Sequence, residues 1–289
     1  MRRRTLAGEA RVRGRGLFTG ADVVATVGPG EGGISFRVGG ERVPAQIDRL
    51  STAAVLPALA DVPSRHTVLS AGGARAITTE HALAALVGLG VTDAEIVLEG
   101  GDELPIDDGS ALAFVQSIEG AGLVELDGEV EPLRVSEVVT VEDGRGGMIV
   151  VEPLDGDAAQ LPRYSYLLEY PGGEPALSKQ TAAWAGDAAS FVGEIAPART
   201  FSFANEIAPM RAVGLFEGFS PRELLVLDER GEPIENELHF DDEPARHKLL
   251  DLIGDLALVG RPIIGRVSAY RSGHALNHEM ARRLASLVS

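Results

Sequence analysis

A histidine and an aspartate stand four residues apart in the segment Arg-His-Lys-Leu-Leu-Asp, which covers residues 246–251. If this segment is helical, the side chains of His247 and Asp251 lie on the same face of the helix, one turn apart. An imidazole nitrogen and a carboxylate oxygen in that arrangement can share one divalent metal ion, at about 2.0–2.2 Å from each atom. They can equally form a hydrogen bond on a helix surface, so the spacing alone leaves both interpretations open.

A third ligand is available from His81, which follows Glu80 at the start of another segment with helical periodicity. Two histidines and one aspartate with an open fourth position form the composition of a catalytic metal site. A metal ion lowers the pKa of a water molecule, and Glu80, beside a ligand but pointing elsewhere, is then the candidate that takes its proton. For the Glu-His pair alone, an ordinary helix start is the alternative.

Two more segments offer a proton donor and a hydroxyl group. His274 follows Gly273 at the predicted start of the last helix, where an unligated histidine near a metal can protonate a leaving amine or stabilise an oxyanion. Thr200, in Ala-Arg-Thr-Phe at residues 198–201, offers a hydroxyl to the same oxyanion. Taken alone, His274 is equally a helix-start residue without a catalytic role, and the tetrapeptide around Thr200 indicates nothing.

The apolar periodicity predicts the elements that position these residues. Strand-like runs bounded by Gly or Pro occur at Val23–Val27, Gly33–Val38, Glu95–Glu99, Arg134–Val141, Met148–Val151, Tyr164–Leu168, Leu224–Leu227 and Ile263–Tyr270. Helical patterns begin at Glu80, with stop signals at Gly88 and Gly90, and cover Ser110–Ala121, Glu243–Val259 and His274–Val288.

A helix that returns as a strand occurs twice, once after Glu80 and once after Arg246. Two copies of one unit explain this faint repeat, with a boundary in the turn-rich segment near Asp127–Pro132. The sequence therefore predicts an α+β fold of two similar domains, residues 1–128 and 129–289, each a β-sheet layered with helices.

Composition excludes several classes of protein. The chain has 289 residues, 45% hydrophobic and 24% charged, which are globular proportions. It has no cysteine, so disulfides, iron–sulfur clusters, cysteine zinc sites and thiol nucleophiles are excluded. No secretory signal and no apolar run of roughly 18 residues is present. We therefore expect a cytoplasmic protein without a membrane span.

The net charge of −17 disfavours nucleic acid as a partner, because such binding needs basic surfaces. Residues 245–289 nevertheless contain seven basic and three acidic residues. This local excess is consistent with an anion-binding pocket or with a solvated mixed face, and charge alone does not decide between them.

Five segments together resemble the zinc-dependent UDP-3-O-acyl-N-acetylglucosamine deacetylases of lipid A biosynthesis: Thr78–Leu86, Leu104–Ser110, Ile195–Phe201, Arg246–Asp255 and Ser272–Asn277. They occur in the family's order and extend over nearly the whole chain. The resemblance implies hydrolysis of the N-acetyl group of a UDP-linked acylated amino sugar, with release of acetate. It further implies two similar α+β domains that sandwich the active site and one Zn²⁺ per chain, with Fe²⁺ as the alternative ion. Apart from the resemblance, we expect the protein to be a monomer.

The resemblance also implies a role for each matching residue. The metal ligands are His81, His247 and Asp251. The catalytic groups are Glu80 as general base, His274 as proton donor oriented by Asp255, and Thr200 on the oxyanion side. The substrate-binding groups are Phe201 against the glucosamine ring and Lys248 and Arg271 near the nucleotide diphosphate.

The chain departs from the family pattern at positions outside the metal ligands and the base. Phe18 replaces a histidine near the site, and Glu152 stands where a lysine is expected. Two alternatives therefore stay open beside the deacetylase of lipid A biosynthesis. One is a divergent paralogue that deacetylates another N-acetylated sugar, and the other is a catalytically silent paralogue that only binds.

Overall fold

Two five-stranded sheets form the framework of the protein, one in each half of the chain. The computed structural model describes residues 1–55, 65–154, 161–170, 177–212, 214–216 and 218–287. Val288, the predicted end of the last helix, lies outside these residues. The combination of separate sheets and packed helices confirms the α+β class expected from the sequence.

The first half of the described chain contains strands β1 to β9 and two helices. In chain order they are β1 (Arg2–Leu6), β2 (Ala10–Arg15), β3 (Asp22–Pro29), β4 (Ile34–Val38), β5 (Glu41–Pro44), β6 (Val68–Ala71), β7 (Ala74–Ile77), α1 (Glu80–Gly88), β8 (Ala94–Glu99), α2 (Leu112–Ala121) and β9 (Leu123–Glu129).

The second half of the described chain contains strands β10 to β18 and four helices. They are β10 (Leu133–Arg134), β11 (Val139–Glu142), β12 (Met148–Glu152), β13 (Arg163–Leu168), β14 (Gln180–Trp184), α3 (Ala188–Ser190), β15 (Phe201–Phe203), α4 (Ala204–Ala212), β16 (Leu225–Leu227), α5 (Glu243–Leu256), β17 (Ile263–Ile264), β18 (Arg266–Tyr270) and α6 (His274–Ala285). Within the described residues, no helix is both long and apolar enough to cross a membrane.

The two large sheets share one topology. The strand order is β2-β3-β8-β4-β5 in the first and β11-β12-β18-β13-β14 in the second. In each sheet the last strand in sequence lies at the centre, parallel to the third and antiparallel to the second. The faint sequence repeat thus corresponds to a repeated arrangement of strands. The division into residues 1–128 and 129–289 falls beside the last residue of β9, which pairs with β1, and it stays a prediction.

Two strands predicted from the sequence are each divided in the structure. The run Arg134–Val141 is not one strand, because β10 pairs with β17 whereas β11 pairs with β12. The run Ile263–Tyr270 breaks at Gly265 for the same reason, since β17 and β18 belong to different sheets. The apolar pattern is continuous in both runs, but it cannot reveal that the two ends of a run pair with different neighbours.

The two halves meet where α1 packs against α5, which in turn packs on β13 and β14. Both helices are almost entirely buried. Their backbones lie close together at Gly254, where an added Cβ would lie 2.1 Å from the carbonyl oxygen of Glu80. The crossing therefore leaves no room for a side chain at residue 254, and it brings the first turn of α1 beside the last turn of α5.

We expect Gly254→Ala to lower the free energy of unfolding by about 1–3 kcal/mol, the usual cost of overpacking. The methyl group can be accommodated only if α1 and α5 move apart, because the atom it meets belongs to the backbone. Denaturant unfolding of the purified protein measures the change.

The matched control is Gly120→Ala, on the exposed face of α2, where an added Cβ meets nothing within 4 Å. This change should leave stability unaltered or raise it by up to about 1 kcal/mol, because alanine favours helix. Equal stabilities of the two variants would contradict the crossing as described.

Candidate active site

A cavity of about 370 Å³ opens where the halves meet. In each half, the described residues between the fourth strand of the sheet and the helix that meets the other half form an excursion, within residues 46–79 before α1 and within residues 185–242 before α5. Parts of both excursions line the cavity. So do eight of the ten predicted site residues: Glu80, His81, Thr200, Phe201, His247, Lys248, Asp251 and His274. Elements far apart in sequence thus converge on one pocket.

Three of these side chains offer metal-ligand atoms at one point. The Oδ1 atom of Asp251 lies 3.2 Å from Nε2 of His247 and 3.7 Å from Nε2 of His81. Donor atoms at about 2.1 Å from a shared tetrahedral ion lie about 3.4 Å from one another, so these separations fit a single ion. All three residues are buried, and they are a group whose donor atoms lie within 4.8 Å of one another. The donor set therefore fits a divalent metal.

The protonation of these residues also suits metal binding. The Nδ1 atom of His247 lies 3.1 Å from the carbonyl oxygen of Ala198, which accepts its proton and leaves Nε2 free as a ligand. Burial and the neighbouring His247 lower the pKa of His81 to about 3. Burial acts to raise the pKa of Asp251, but His247 and Lys248 outweigh it and hold that pKa well below its usual range. Neutral imidazoles and an ionised carboxylate are the forms that bind metals.

Glu80 is the first residue of α1 and is only 2% exposed. Its Oε2 atom accepts a hydrogen bond of 3.0 Å from the backbone N–H of Thr67. Burial raises the pKa of Glu80 to about 8, with His274 opposing and Asp255 and Asp251 adding to the rise. The carboxyl group can therefore take up a proton near neutral pH and release it again, as a general base must.

His274 begins α6 and forms a dyad with Asp255. Its Nδ1 atom lies 2.8 Å from Oδ2 of Asp255, and its Nε2 atom lies 3.8 Å from Oδ2 of Asp251. Burial acts to lower the pKa of His274, but the carboxylates of Asp255 and Asp251 outweigh it and raise that pKa to about 9. His274 is thus held as a cation that can give up a proton. Asp255 lies behind the imidazole, fully buried and away from the cavity.

Thr200 and Phe201 lie in a segment that hydrogen bonds hold in place on the other side of the cavity. The preceding Arg199 is buried, and its Nε atom donates a 2.8 Å hydrogen bond to Oε1 of Glu243 at the start of α5. The backbone N–H of Thr200 donates to the carbonyl oxygen of Gly109 at 2.7 Å. These bonds join the segment to both halves. The Nζ atom of Lys248 lies 5.8 Å from the ring centre of Phe201 and 2.9 Å from Oδ2 of Asp251.

Arg271 is not brought to the cavity. Its guanidinium lies over the ring of Tyr270 and its Nη2 atom is 3.4 Å from the carbonyl oxygen of Arg145. Arg271 does not line the cavity, and its predicted contact with a diphosphate stays a prediction. Glu152 likewise does not line the cavity; in the sheet it stands opposite Arg266.

Several residues that line the cavity are not predicted from the sequence. The ring of His66 lies against that of Phe18, tilted by 40° with ring centres 4.2 Å apart, and the ring centre of Phe216 lies 5.9 Å from that of Phe18. Burial lowers the pKa of His66 to about 4, so that imidazole is neutral. The signal that could have found His66 is its place between the apolar strand β6 and a polar segment, although a single histidine there is weak evidence.

Comparison with known proteins adds a family to this geometry. A family model described as LpxC, UDP-3-O-acyl N-acetylglycosamine deacetylase, matches residues 3–286. A UDP-3-O-acyl-N-acetylglucosamine deacetylase of Myxococcus xanthus is 36% identical over 290 residues, which cover 98% of this chain and 86% of the relative. Proteins of the same name from Pseudomonas entomophila and Teredinibacter turnerae are each 37% identical, over 98% of this chain and 90% of the relative.

We expect purified wild-type protein to contain one divalent ion per chain and His247→Ala to lose it. The substitution removes one of three donor atoms, and a site with two remaining ligands holds a divalent ion weakly. Elemental analysis after dialysis against metal-free buffer measures the content. His239→Ala is the control, because His239 is half exposed and is not among the clustered donors. An unchanged metal content in His247→Ala would contradict the assignment of His247 as a ligand.

Proposed function

Because the chain belongs to the UDP-3-O-acyl N-acetylglycosamine deacetylase family, we propose that it removes the N-acetyl group of UDP-3-O-acyl-N-acetylglucosamine in lipid A biosynthesis. Members of this family are metal-dependent hydrolases that cleave an amide, and the chain is an enzyme of that class. The observation that carries the proposal is the meeting of three metal-ligand atoms with Glu80 and His274 in one cavity.

The metal we propose is Zn²⁺, one per chain, held by His81, His247 and Asp251. Two imidazoles and one carboxylate suit zinc and also ferrous iron, so Fe²⁺ is the alternative that elemental analysis distinguishes. When bound there, a divalent ion supplies Lewis acidity, which lowers the pKa of a water molecule and polarises an amide carbonyl.

The chain's own residues account for the proton transfers. Ionised Glu80 takes a proton from the attacking water as the water oxygen forms its bond to the acetyl carbon. The hydroxyl of Thr200 donates a hydrogen bond to the oxyanion that develops on the acetyl oxygen. His274 then gives its Nε2 proton to the amine nitrogen as the carbon–nitrogen bond breaks, while Asp255 keeps the ring oriented. The products are acetate and the free amine.

Substrate recognition is proposed to use Phe201 and Lys248 in the cavity. Phe201 offers an aromatic face for the sugar ring, and Lys248 offers a positive point charge. The carboxylate of Asp251 outweighs burial and raises the pKa of Lys248, so its charge persists over the working pH range. We also propose that the protein acts as a monomer in the cytoplasm, which light scattering and cell fractionation test.

We expect Glu80→Gln and His274→Gln each to reduce kcat by roughly 10²–10⁴-fold, the range for loss of a general acid or base. Metal content should stay at the wild-type value in both, since neither side chain is a proposed ligand. The assay is acetate release from UDP-3-O-acyl-N-acetylglucosamine. Glu229→Gln, an exposed residue away from the cavity, serves as the control. Full activity in Glu80→Gln would remove Glu80 from the mechanism.

We expect Lys248→Gln to raise KM for the UDP-linked substrate by about 10-fold or more, because a charged hydrogen bond contributes about 1.5–3 kcal/mol. KM for the same acylated sugar without the nucleotide should change much less. The control is Lys179→Gln, an exposed lysine that does not line the cavity. Metal content is measured in parallel because Lys248 also contacts Asp251.

The wild-type result separates the alternatives. Equal turnover of the nucleotide-linked and nucleotide-free sugars would favour a divergent deacetylase for another sugar, which the departures Phe18 and Glu152 leave open. Metal binding without turnover of either compound would favour a silent binding protein.

A further inference from the structure

One threonine contacts both the proposed base and the carboxylate that supports the proposed acid. Thr67 is completely buried and directly precedes β6. Its backbone N–H donates to Oε2 of Glu80 at 3.0 Å, and its hydroxyl donates to Oδ1 of Asp255 at 2.5 Å. Asp255 is the residue that orients His274. Thr67 therefore connects the carboxylate of the base to the carboxylate behind the acid.

A histidine on α6 completes this contact from the other side. His278 follows His274 by four residues and faces the same way along the helix. Its Nε2 atom lies 2.8 Å from Oγ1 of Thr67 and 3.3 Å from Oδ1 of Asp255. The side chain is buried, and neither Thr67 nor His278 lines the cavity. Both residues thus act from behind the groups that face the substrate.

The hydrogen-bond pattern fixes where the protons lie. Asp255 accepts at Oδ2 from Nδ1 of His274 and from the side-chain amide of Asn277. Two oxygens 2.5 Å apart need a proton between them, and only the hydroxyl of Thr67 can supply it to the carboxylate. Oγ1 of Thr67 then has only lone pairs to offer to His278. His278 must therefore carry a proton on Nε2 and donate it to Thr67.

We propose that Thr67 and His278 are positioning residues for the reaction, which hold the Glu80 carboxylate and the Asp255–His274 dyad in a fixed relative placement. Thr67 supplies the connection, and His278 holds its hydroxyl in the rotamer that donates to Asp255. The proposal rests on the proposed function of Glu80 and His274. Without the hydroxyl, Oδ1 of Asp255 loses its shortest hydrogen bond, and the carboxylate that aligns the imidazole is held mainly through Oδ2.

The test uses metal-loaded protein and two substitutions of Thr67. Thr67→Val keeps the shape and the backbone N–H but removes the hydroxyl, whereas Thr67→Ser keeps the hydroxyl. Loss of a hydrogen bond behind a metal-site residue typically costs about 10–100-fold in activity. We expect that loss in kcat for Thr67→Val, with KM within about twofold and wild-type metal content, and most of the activity restored in Thr67→Ser.

Two results would overturn the proposal. One is an unchanged kcat in Thr67→Val. The other is an equal loss in Thr67→Val and Thr67→Ser that follows a lower melting temperature, which would reduce Thr67 to a packing residue. His278 is tested in the same way, with His278→Phe to remove the donor and His278→Gln to supply an amide N–H in its place. The glutamine variant should retain more of kcat than the phenylalanine variant, and the reverse order would also count against the proposal.

A spectroscopic measurement keeps this test independent of the proposed function. In holoenzyme labelled with ¹⁵N-histidine, two-bond correlation spectra report which ring nitrogen of His278 carries the proton, with His278→Gln identifying the signal. We expect a proton on Nε2 in the wild type and in Thr67→Ser. In Thr67→Val, which lacks the acceptor oxygen, we expect the ring-nitrogen signals of His278 to shift. A bare Nε2 would overturn the proposal even in an active enzyme. A wild-type protein without deacetylase activity would refute the proposed function instead, whatever the spectra show.

Discussion

The contact between the backbones of α1 and α5 at Gly254 is the constraint on which the site depends. Glu80 and His81 belong to the first half of the chain, and His247, Asp251 and His274 belong to the second. The close approach of the two backbones at Gly254 goes together with a separation of 3.7 Å between Nε2 of His81 and Oδ1 of Asp251. A side chain at this crossing has to move α1 and α5 apart, because its Cβ would meet the carbonyl oxygen of Glu80, the neighbour of His81 in the chain.

Three buried carboxylates beside this crossing show how local donors decide the protonation state. Burial acts to raise the pKa of Glu80, Asp251 and Asp255 alike. The carboxylate of Asp251 is contacted by an imidazole and a lysine ammonium group, and its pKa is lowered. The carboxylate of Asp255 is contacted by an imidazole and a threonine hydroxyl, and its pKa is lowered as well. Glu80 receives a backbone N–H from Thr67, and its pKa is raised to about 8. The same burial thus leaves two acids ionised and one able to exchange a proton.

The sequence predicted the residues that depend on helical spacing better than those that depend on loops. His247 and Asp251 share a helix face whenever their segment is helical, so their closeness needed no knowledge of the fold. Thr67 carried no such signal, since its role comes from contacts 13 residues away with Glu80 and 188 residues away with Asp255. Arg271 has a positive φ of 51°, and its side chain lies beside residues 145 and 270, which a motif match cannot indicate.

The repeated topology accounts for the position of the proposed metal ligands on α1 and α5, whereas the proposed proton donor belongs to one half alone. Each half runs through four strands, an excursion, a helix, the central strand and a further helix, which makes α1 the counterpart of α5 and α2 the counterpart of α6. The corresponding helices α1 and α5 pack against each other where the two halves meet, and both halves contribute polar side chains there. α6 begins with His274 and carries His278, whereas α2 begins with Leu112 and presents apolar residues to its sheet. The two halves thus have matching helices at the proposed metal ligands, and they differ in the helix that carries the proposed acid.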